Sequence, residues 1–362
     1  MRSSSRCKKI ASPLSRHLLR WYRDQGRDLP WRRTFDPYAI WVSEIMLQQT
    51  QVATVIPYYG RFMDALPTVA DLAKAPLDRV LKLWEGMGYY ARARNLHRAA
   101  RIVMDDHQGE IPDDLPRLTA LPGIGRSTAG AIVSIAYDKR APILDGNVRR
   151  VLARLFAIRE RLSLSEVQQK LWELSDRLVP EQDARSFNQA LMDLGAMVCT
   201  PKALACATCC LNALCTAFRQ GIQEKIPAKS PARKIPHYTV AVGVIWKNKK
   251  ILITQRPPKG LLGGLWEFPG GKLEAGETPD GAVSREIAEE LNLTVFVGDP
   301  IGMIRHAYSH FRITLHAFHC RYQSGRLKTD LPYRWISPAE LNSYAFPAAN
   351  RKIIAYLEEE QD

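Results

Sequence analysis

The chain has 362 residues, of which 46% are hydrophobic, and 51 lysines and arginines against 37 acids give a net charge of +14. That length predicts two domains, and no apolar run approaches the roughly 18 residues that span a bilayer, which excludes a membrane-spanning protein. Residues 1–225 hold 33 basic and 23 acidic residues, a net of +10, so this part is the one that we expect to meet a polyanion.

The spacing of apolar residues changes once along the chain. Up to about residue 220 they recur every three or four positions between prolines, which predicts helices. IPAKSPARKIPH (226–237) has three prolines and three basic residues and predicts an extended linker. Beyond it, alternation predicts strands at 239–246, 250–256 and 311–322, with helices at Pro279–Leu291 and Ala348–Glu359. We predict a multidomain fold with an all-α domain over 1–225, a linker over 226–237 and an α+β domain over 238–362.

The stretch LPWRRTFDPYAIWVSEIMLQQTQV (29–52) places one carboxylate among apolar side chains. Glu44 has Ile40, Trp41 and Ile45 as near neighbours. An apolar pocket would raise its pKa and let it donate a proton at neutral pH. The plainer alternative is a solvated glutamate on the surface of a helix.

The stretch LPGIGRSTAG (121–130) predicts a tight turn before a helix that runs from Arg126 to about Tyr137. With Gly123 and Gly125, its amides and the helix N-terminus can hold a DNA phosphate, although a plain corner between helices has the same pattern. Asp145 follows in ILDGNVRRVLARL, at a position where Asp is usually an N-cap. Together these motifs resemble the helix-hairpin-helix DNA glycosylase superfamily, in which the matching Asp is catalytic.

Five of the seven cysteines fall between residues 199 and 215, which favours a metal centre in a reducing compartment over disulfides. Six, two and five residues separate the four candidate ligands Cys199, Cys206, Cys209 and Cys215. Thiolates so spaced can bind one compact cluster, and a zinc site is the alternative. The spacing resembles the 4Fe-4S loop of endonuclease III and MutY-type glycosylases, with Cys210 as an extra thiol.

Residues 29–52, WEGMGYYARARNL (84–96) and FNQALMDLGAMVCTP (187–201) closely resemble MutY-type adenine DNA glycosylases. The resemblance implies removal, in base excision repair, of adenine mispaired with 8-oxoguanine or guanine in double-stranded DNA. Cleaving an N-glycosidic bond calls for an acid at the base and a carboxylate at the sugar cation. The resemblance assigns protonation of adenine N7 and help in activating water to Glu44, stabilisation or trapping of the sugar cation to Asp145, and orientation of Asp145 to Asn147.

The same resemblance implies two further sets of DNA contacts. The flipped-out adenine would lie against Trp31, Arg32, Leu47 and Gln189. Gln49, Met87 and Tyr89 would fill the vacated stack. For Trp31, Leu47 and Met87, ordinary core packing is the competing interpretation.

Ser127 stands where bifunctional members of the superfamily carry a lysine. The amine of that lysine attacks the sugar and leads to strand cleavage through a Schiff base. A hydroxyl cannot form a Schiff base, so we predict a monofunctional enzyme with little or no lyase activity.

HAYSH (306–310) resembles the Phe-Ser-His loop with which MutY relatives inspect 8-oxoguanine, with Tyr308 in place of Phe. The resemblance implies that Ser309 hydrogen-bonds to the edge of the lesion and that His306 or His310 supports it. The plainer interpretation of each histidine is a surface residue at a strand turn.

Residues 263–293 reproduce the Nudix box except at Asn292, where glycine is usual. Glu286, Glu289 and Glu290 fall on one helical face, where they could bind Mg²⁺. Residual hydrolysis of oxidised purine nucleotides is therefore a secondary hypothesis, beside an inherited scaffold whose glutamates are structural.

We expect a monomer in the cytoplasm, associated with the nucleoid through DNA. An endonuclease III-like glycosylase for oxidised pyrimidines is the alternative enzyme, disfavoured by Ser127 and by the second domain. A mismatch-binding protein without catalysis is disfavoured by the pair of carboxylates, Glu44 and Asp145.

Overall fold

The computed structural model describes residues 2–228, 235–308 and 310–360, with side chains from residue 13 onward. It divides into two compact units. The first comprises residues 1–74 and 95–232, and the second comprises residues 75–94 and 233–362. No pattern in the sequence predicts that residues 75–94 group with the C-terminal part, and the domain boundaries at 225 and 237 stay predictions.

Helices make up the described N-terminal part, in agreement with the predicted fold class. They are α1 Arg2–Gln25, α2 Pro37–Met46, α3 Val52–Ala65, α4 Val69–Lys74, α5 Leu77–Leu83, α6 Ala91–Asp106, α7 Leu115–Ala120, α8 Arg126–Tyr137, α9 Gly146–Leu155, α10 Ser165–Leu178, α11 Ala184–Asp193 and α12 Thr216–Arg219. A short π-helix, Leu194–Val198, continues α11. The predicted bounds of α8 are confirmed.

The core of the first unit lies among α1 and α8 to α12. Leu18 of α1, Leu152 of α9, Leu171 of α10 and Phe187 of α11 are all fully buried within it. Because each of these helices has one apolar face, packing them together removes those faces from water and fixes the loops at their ends. Several predicted site residues lie at the beginnings of these helices: Ser127 in the first turn of α8, Asp145 at the N-cap of α9 and Asn147 in its first turn.

The second unit contains a mixed sheet. Its strands in the described residues are β1 His237–Lys247, β2 Lys250–Gln255, β3 Trp266–Glu267, β4 Gly270–Lys272, β5 Leu293–Ala307, β6 Arg312–Gly325 and β7 Tyr333–Ile336. The order is β3-β2-β1-β6-β5, in which β1 and β6 are parallel, while β4 pairs with β1 and β7 with β2. The predicted strands 239–246, 250–256 and 311–322 correspond to β1, β2 and β6.

One helix packs on each face of this sheet. Helix α13, Pro279–Leu291, buries Val283 and Ile287 against one face, and α14, Ala348–Glu359, buries Ile353 and Ile354 against the other. Both helices have the predicted bounds. Asn292 ends α13 with φ +54°, a left-handed conformation that asparagine adopts more readily than most residues other than glycine. In the part of the chain that the structure describes, no helix is both long and apolar enough to cross a membrane.

Candidate active site

A pocket of about 980 Å³ opens in the first unit, where the end of α2 meets the beginnings of α8 and α9. Nine predicted site residues line it: Trp31, Arg32, Glu44, Leu47, Gln49, Ser127, Asp145, Asn147 and Gln189. Its volume is at the upper end of the range for ligand pockets, about 300–1,000 Å³. Both candidate catalytic carboxylates therefore line one cavity with room for a base and its sugar.

Glu44 lies in the last turn of α2, which ends at Met46. The helix begins where the Asp36 side chain accepts a hydrogen bond from the Tyr38 amide (3.0 Å), with Pro37 at the first position. Burial raises the pKa of Glu44 to about 7, and the charge of Asp145 adds to this effect while Arg32 opposes it. A carboxyl with this pKa is partly protonated at neutral pH and can serve as a general acid.

Asp145 is the N-cap of α9, as the plainer interpretation of the sequence had it, and it also lines the pocket. Its Oδ1 accepts a hydrogen bond of 2.7 Å from the Val148 amide, and its Oδ2 accepts one of 3.4 Å from Asn147 Nδ2. Burial raises its pKa, although the bond from Val148 and the charge of Arg150 oppose that change. The cap fixes one oxygen, so the carboxylate has a defined orientation in the pocket.

Arg150 joins this end of α9 to the first candidate cysteine ligand. It donates hydrogen bonds to Asn147 Oδ1 (2.8 Å), to the Gly195 carbonyl (2.6 Å) and to the Cys199 carbonyl (2.7 Å). Gly195 approaches Asn147 closely, since a Cβ added at Gly195 would lie 2.6 Å from the Asn147 Cβ. The orientation of Asn147 thus depends on both Arg150 and the π-helix.

The predicted adenine-binding residues all line the pocket. Trp31 is 4% exposed and packs edge-on against Tyr59, with ring centroids 5.3 Å apart, so it is both a core residue and a lining residue. Arg32 makes two hydrogen bonds, of 2.6 and 2.7 Å, to the fully buried Asp193. Burial alone would raise the pKa of Asp193, but hydrogen bonds from Arg32 and Arg27 lower it, so the carboxylate is ionised.

The hairpin has the predicted form at the start of α8. Gly123 has φ +82°, and a Cβ there would lie 2.8 Å from the Asn95 Cβ, so both its conformation and its packing favour glycine. Gly125 is the N-cap position of α8. Phosphate binding by Gly123 and Gly125 stays a prediction.

The Ser127 hydroxyl is engaged by the main chain. Its Oγ accepts a hydrogen bond of 2.9 Å from the amide of Leu144, the fully buried residue before Asp145. Four arginines line the pocket (Arg27, Arg32, Arg149 and Arg150), and no lysine does among the described residues.

Four cysteines surround a cavity of about 30 Å³: Cys199, Cys206, Cys209 and Cys215. Cys210 is not among the described residues that line it. Arg154 reaches the same place and donates a hydrogen bond of 3.3 Å to the Cys199 sulfur. In the described part of the chain, no group of three or more His, Cys, Asp or Glu side chains converges closely enough to hold a single metal ion.

The second unit holds the other predicted DNA-contacting residues. The His306 and Tyr308 rings meet edge-on at 4.4 Å, and the Tyr308 hydroxyl accepts a hydrogen bond of 3.5 Å from the Ala349 amide. Tyr89 meets His310 with ring centroids 5.9 Å apart. Met87 is in this unit too and is 6% exposed, as core packing would require. Ser309 lies outside the described residues.

The Nudix glutamates are paired within the protein. Arg285 forms ion pairs with Glu277 (2.8 Å), Glu286 (3.1 Å) and Glu289 (3.1 Å). Burial raises the pKa of Glu290, and the charge of Glu286 adds to this effect. Arg285 thus bridges two of the three candidate Mg²⁺ ligands, Glu286 and Glu289. The Mg²⁺ site stays a prediction.

Two features of the site were missed in the sequence. Tyr22 donates a hydrogen bond of 2.6 Å to Gln189, and Asp193 binds both Arg27 and Arg32. These partners are more than 160 residues apart, so no local pattern pairs them. The only available signal was the i, i+4 spacing of Gln189 and Asp193, which puts them on one face of α11.

Comparisons with known proteins agree with this arrangement. Residues 42–177 match the HhH-GPD superfamily of base excision DNA repair proteins, and residues 241–356 match the NUDIX domain. An adenine DNA glycosylase of Rattus norvegicus is 36% identical over 95% of this chain and 78% of its own length. Those of Homo sapiens and Buchnera aphidicola (subsp. Schizaphis graminum) are 35% and 40% identical, over 95% and 70% of this chain and 74% of each relative.

Two solved structures share the fold of the N-terminal part. A thermostable thymine-DNA glycosylase aligns with a TM-score of 0.54 and 31% identity, over 60% of this chain and 99% of that one. An endonuclease III in a non-covalent DNA complex aligns with a TM-score of 0.51 and 22% identity, over 60% and 98%. The predicted helical glycosylase fold followed by a Nudix domain is therefore confirmed.

Proposed function

Since the chain belongs to the adenine DNA glycosylase family, we propose that it excises adenine opposite 8-oxoguanine or guanine and leaves the DNA strand intact. Membership of this family makes it a DNA N-glycosylase of base excision repair that binds DNA. The observation that carries the proposal is a pair of carboxylates lining one pocket, one of them with a pKa of about 7.

Glu44 and Asp145 divide the chemistry between them. Protonated Glu44 gives its proton to adenine N7, so that the base leaves as a neutral molecule, and then helps to activate water. Asp145 stabilises or traps the positive charge that develops on the sugar. Its cap at α9 and its bond from Asn147 hold it in place before the substrate arrives, which removes a reorganisation cost from the reaction.

Base removal without strand cleavage is supported by the side chains of the pocket, since the described lining residues include no lysine amine that could attack the sugar. Ser127 holds the Leu144 amide and offers no amine. The basic residues that line the described pocket are arginines, whose guanidinium groups do not form Schiff bases. An abasic site is therefore the expected product.

Reading of 8-oxoguanine is assigned to the second unit. The ring of His306 contacts that of Tyr308, and the ring of His310 contacts that of Tyr89. A hydroxyl at residue 309 can hydrogen-bond to the edge of the lesion. Met87 and Tyr89, two of the three residues assigned to stack filling, belong to the same unit, whereas the third, Gln49, lines the pocket of the first unit.

The four cysteines suit a 4Fe-4S cluster better than a single ion. They surround one cavity, and Arg154 donates a hydrogen bond to the Cys199 sulfur at its edge. Cys199, Cys206, Cys209 and Cys215 would hold the cluster, which when bound cross-links this loop and can exchange electrons.

Hydrolysis of oxidised nucleotides by the Nudix box stays a secondary hypothesis. The ion pairs that Arg285 forms with Glu277, Glu286 and Glu289 favour a structural role for these glutamates. A monomeric state and a location at the nucleoid are likewise expectations from the sequence.

The test is a duplex with one adenine opposite 8-oxoguanine, analysed for strand breaks before and after hot alkali. Breaks that form only after alkali support base removal without lyase action. Breaks without alkali contradict the monofunctional assignment, and intact strands in both cases contradict the substrate. A Glu44→Gln variant that binds the duplex but releases no base separates binding from catalysis.

A further inference from the structure

Tyr22 stands behind the pocket wall. It lies on α1, is half-buried and is not among the described residues that line the pocket. Its hydroxyl donates a hydrogen bond of 2.6 Å to Oε1 of Gln189, a pocket residue that is 4% exposed. A side chain outside the pocket therefore engages one end of an amide inside it.

This bond decides which end of the amide a ligand meets. A glutamine amide carries an acceptor oxygen at one end and two N–H donors at the other. Tyr22 engages the oxygen, while Nε2 of Gln189 has no hydrogen-bond partner among the described residues. The amide is thus fixed as a donor toward the pocket.

The position of Tyr22 is itself held firmly. The Arg32 guanidinium lies 5.7 Å from the centre of its ring. Arg32 and Arg27 both pair with Asp193, which follows Gln189 by one turn on α11. Burial raises the pKa of Tyr22, so its hydroxyl keeps its proton and remains a donor at neutral pH.

We propose that Tyr22 is a positioning residue that sets base selectivity by holding Gln189 with its N–H donors toward the bound base. This inference rests on the proposed function, since it takes the base to be adenine. The ring nitrogens of adenine are acceptors, whereas its exocyclic amine is a donor. Because Glu44 is assigned to N7, Gln189 reads N1 or N3.

The experiment measures single-turnover rates on duplexes that hold adenine, 1-deazaadenine or 3-deazaadenine opposite guanine. Each analogue rate is divided by the adenine rate of the same protein, and the wild-type and variant ratios are then compared, which cancels the intrinsic reactivity of the analogue. For one of the two analogues, the missing nitrogen should slow excision by the wild type about tenfold more than it slows excision by Tyr22→Phe. A factor of about ten corresponds to the loss of one neutral hydrogen bond. Gln189→Leu should lose the same sensitivity, and the double variant should lose no more.

Tyr38→Phe is the matched control. It removes a tyrosine hydroxyl that donates a 2.8 Å bond to the Leu66 carbonyl away from this pocket, so its analogue ratios should equal those of the wild type. Unchanged ratios in Tyr22→Phe, or a wild type insensitive to both analogues, would overturn the inference. Should Tyr22→Phe fail to fold, Tyr22→Met carries the same test. A wild type that leaves adenine in place refutes the proposed function instead.

Discussion

The Nε atom of Arg150 donates a hydrogen bond of 2.7 Å to the main-chain carbonyl of Cys199. The same guanidinium bonds to Asn147, and Asn147 bonds to Asp145. One side chain therefore connects the cysteine loop to the candidate catalytic carboxylate. The planar guanidinium serves Asn147 and Gly195 from one terminal nitrogen and Cys199 from Nε, an arrangement that a lysine ammonium does not reproduce.

Arg150→Lys keeps the charge and removes this geometry. We expect single-turnover excision of adenine to slow by about 10- to 100-fold, since small displacements of a catalytic group have effects of that size. DNA affinity should change less, because the charge remains. Arg159→Lys, at an exposed arginine that contacts Gln220, is the control, and an equal loss in both variants would contradict the argument.

Gly195→Ala tests the packing behind Asn147. The new Cβ would lie 2.6 Å from the Asn147 Cβ, so Asn147 must move, and we expect excision to slow by at least about tenfold. Gly60→Ala is the matched control, because a Cβ on that helical residue meets nothing within 4 Å. Full activity in Gly195→Ala would show that the position of Asn147 does not limit the reaction.

The pH dependence of excision should follow Glu44. Its pKa of about 7 means that the acid form is lost as the pH rises above neutrality. The single-turnover rate constant should then fall by about tenfold for each pH unit above about pH 8. A rate constant that stays unchanged up to pH 10 would contradict the assignment of Glu44 as the general acid.

The same carboxyl should reduce stability at alkaline pH. Its pKa is raised from 4.5 to about 7, so the folded protein favours the protonated form, and stability is lost as the pH rises from 4.5 through 7. Glu44→Gln, which cannot ionise, should therefore exceed the wild type at pH 8 by about 1–3 kcal/mol in the free energy of unfolding. The difference should shrink to below about 1 kcal/mol at pH 5. Urea unfolding at the two pH values measures it, and a pH-independent difference would contradict this account.

Ser127→Ala should affect stability without creating lyase activity. It leaves the buried Leu144 amide without its acceptor, which costs about 1–3 kcal/mol in the free energy of unfolding. Ser127→Thr keeps the oxygen and should remain close to the wild type. Borohydride should trap no covalent DNA adduct with any of the three proteins, and an adduct would reveal another nucleophile.

The cluster assignment predicts different results for substitution of two nearby cysteines, Cys206 and Cys210. Cys206→Ser should lose the visible absorbance and most of the iron of the purified protein, because Cys206 lines the cavity. Cys210→Ser should keep both, because Cys210 is not among the described lining residues. Bound zinc in place of iron would favour the alternative metal.

The sequence predicted what depends on local pattern. Helices α8, α13 and α14 have the expected bounds because local signals accompany their apolar spacing: Gly125 precedes α8, Thr278 caps α13 and Asn292 ends it, and Pro347 precedes α14. Glu44, Ser127 and Asp145 lie in short motifs, and the structure brings all three to one pocket. Long-range pairs such as Tyr22 with Gln189 were missed, because each partner looks ordinary in its own segment.

Strand β5 was also missed, for a different reason. Gly298, Pro300 and Gly302 interrupt its pattern in the way that a turn does. The structure accommodates them with shifts in the pairing of β5 with β6 between Val297 and Gly302. A strand that is bent by bulges does not keep the alternation by which strands are recognised in a sequence.

Because Asp145 is also the N-cap of α9, a single substitution there would give a folded protein without catalytic activity. Asparagine caps helices as well as aspartate does, so Asp145→Asn would keep the bond from Val148 and the helix that follows it. It would lose only the negative charge that the sugar cation requires. With the proposed role for Asp145, such a variant would fold and bind DNA without releasing a base, so that one substitution at residue 145 would convert a repair enzyme into an obstacle to repair.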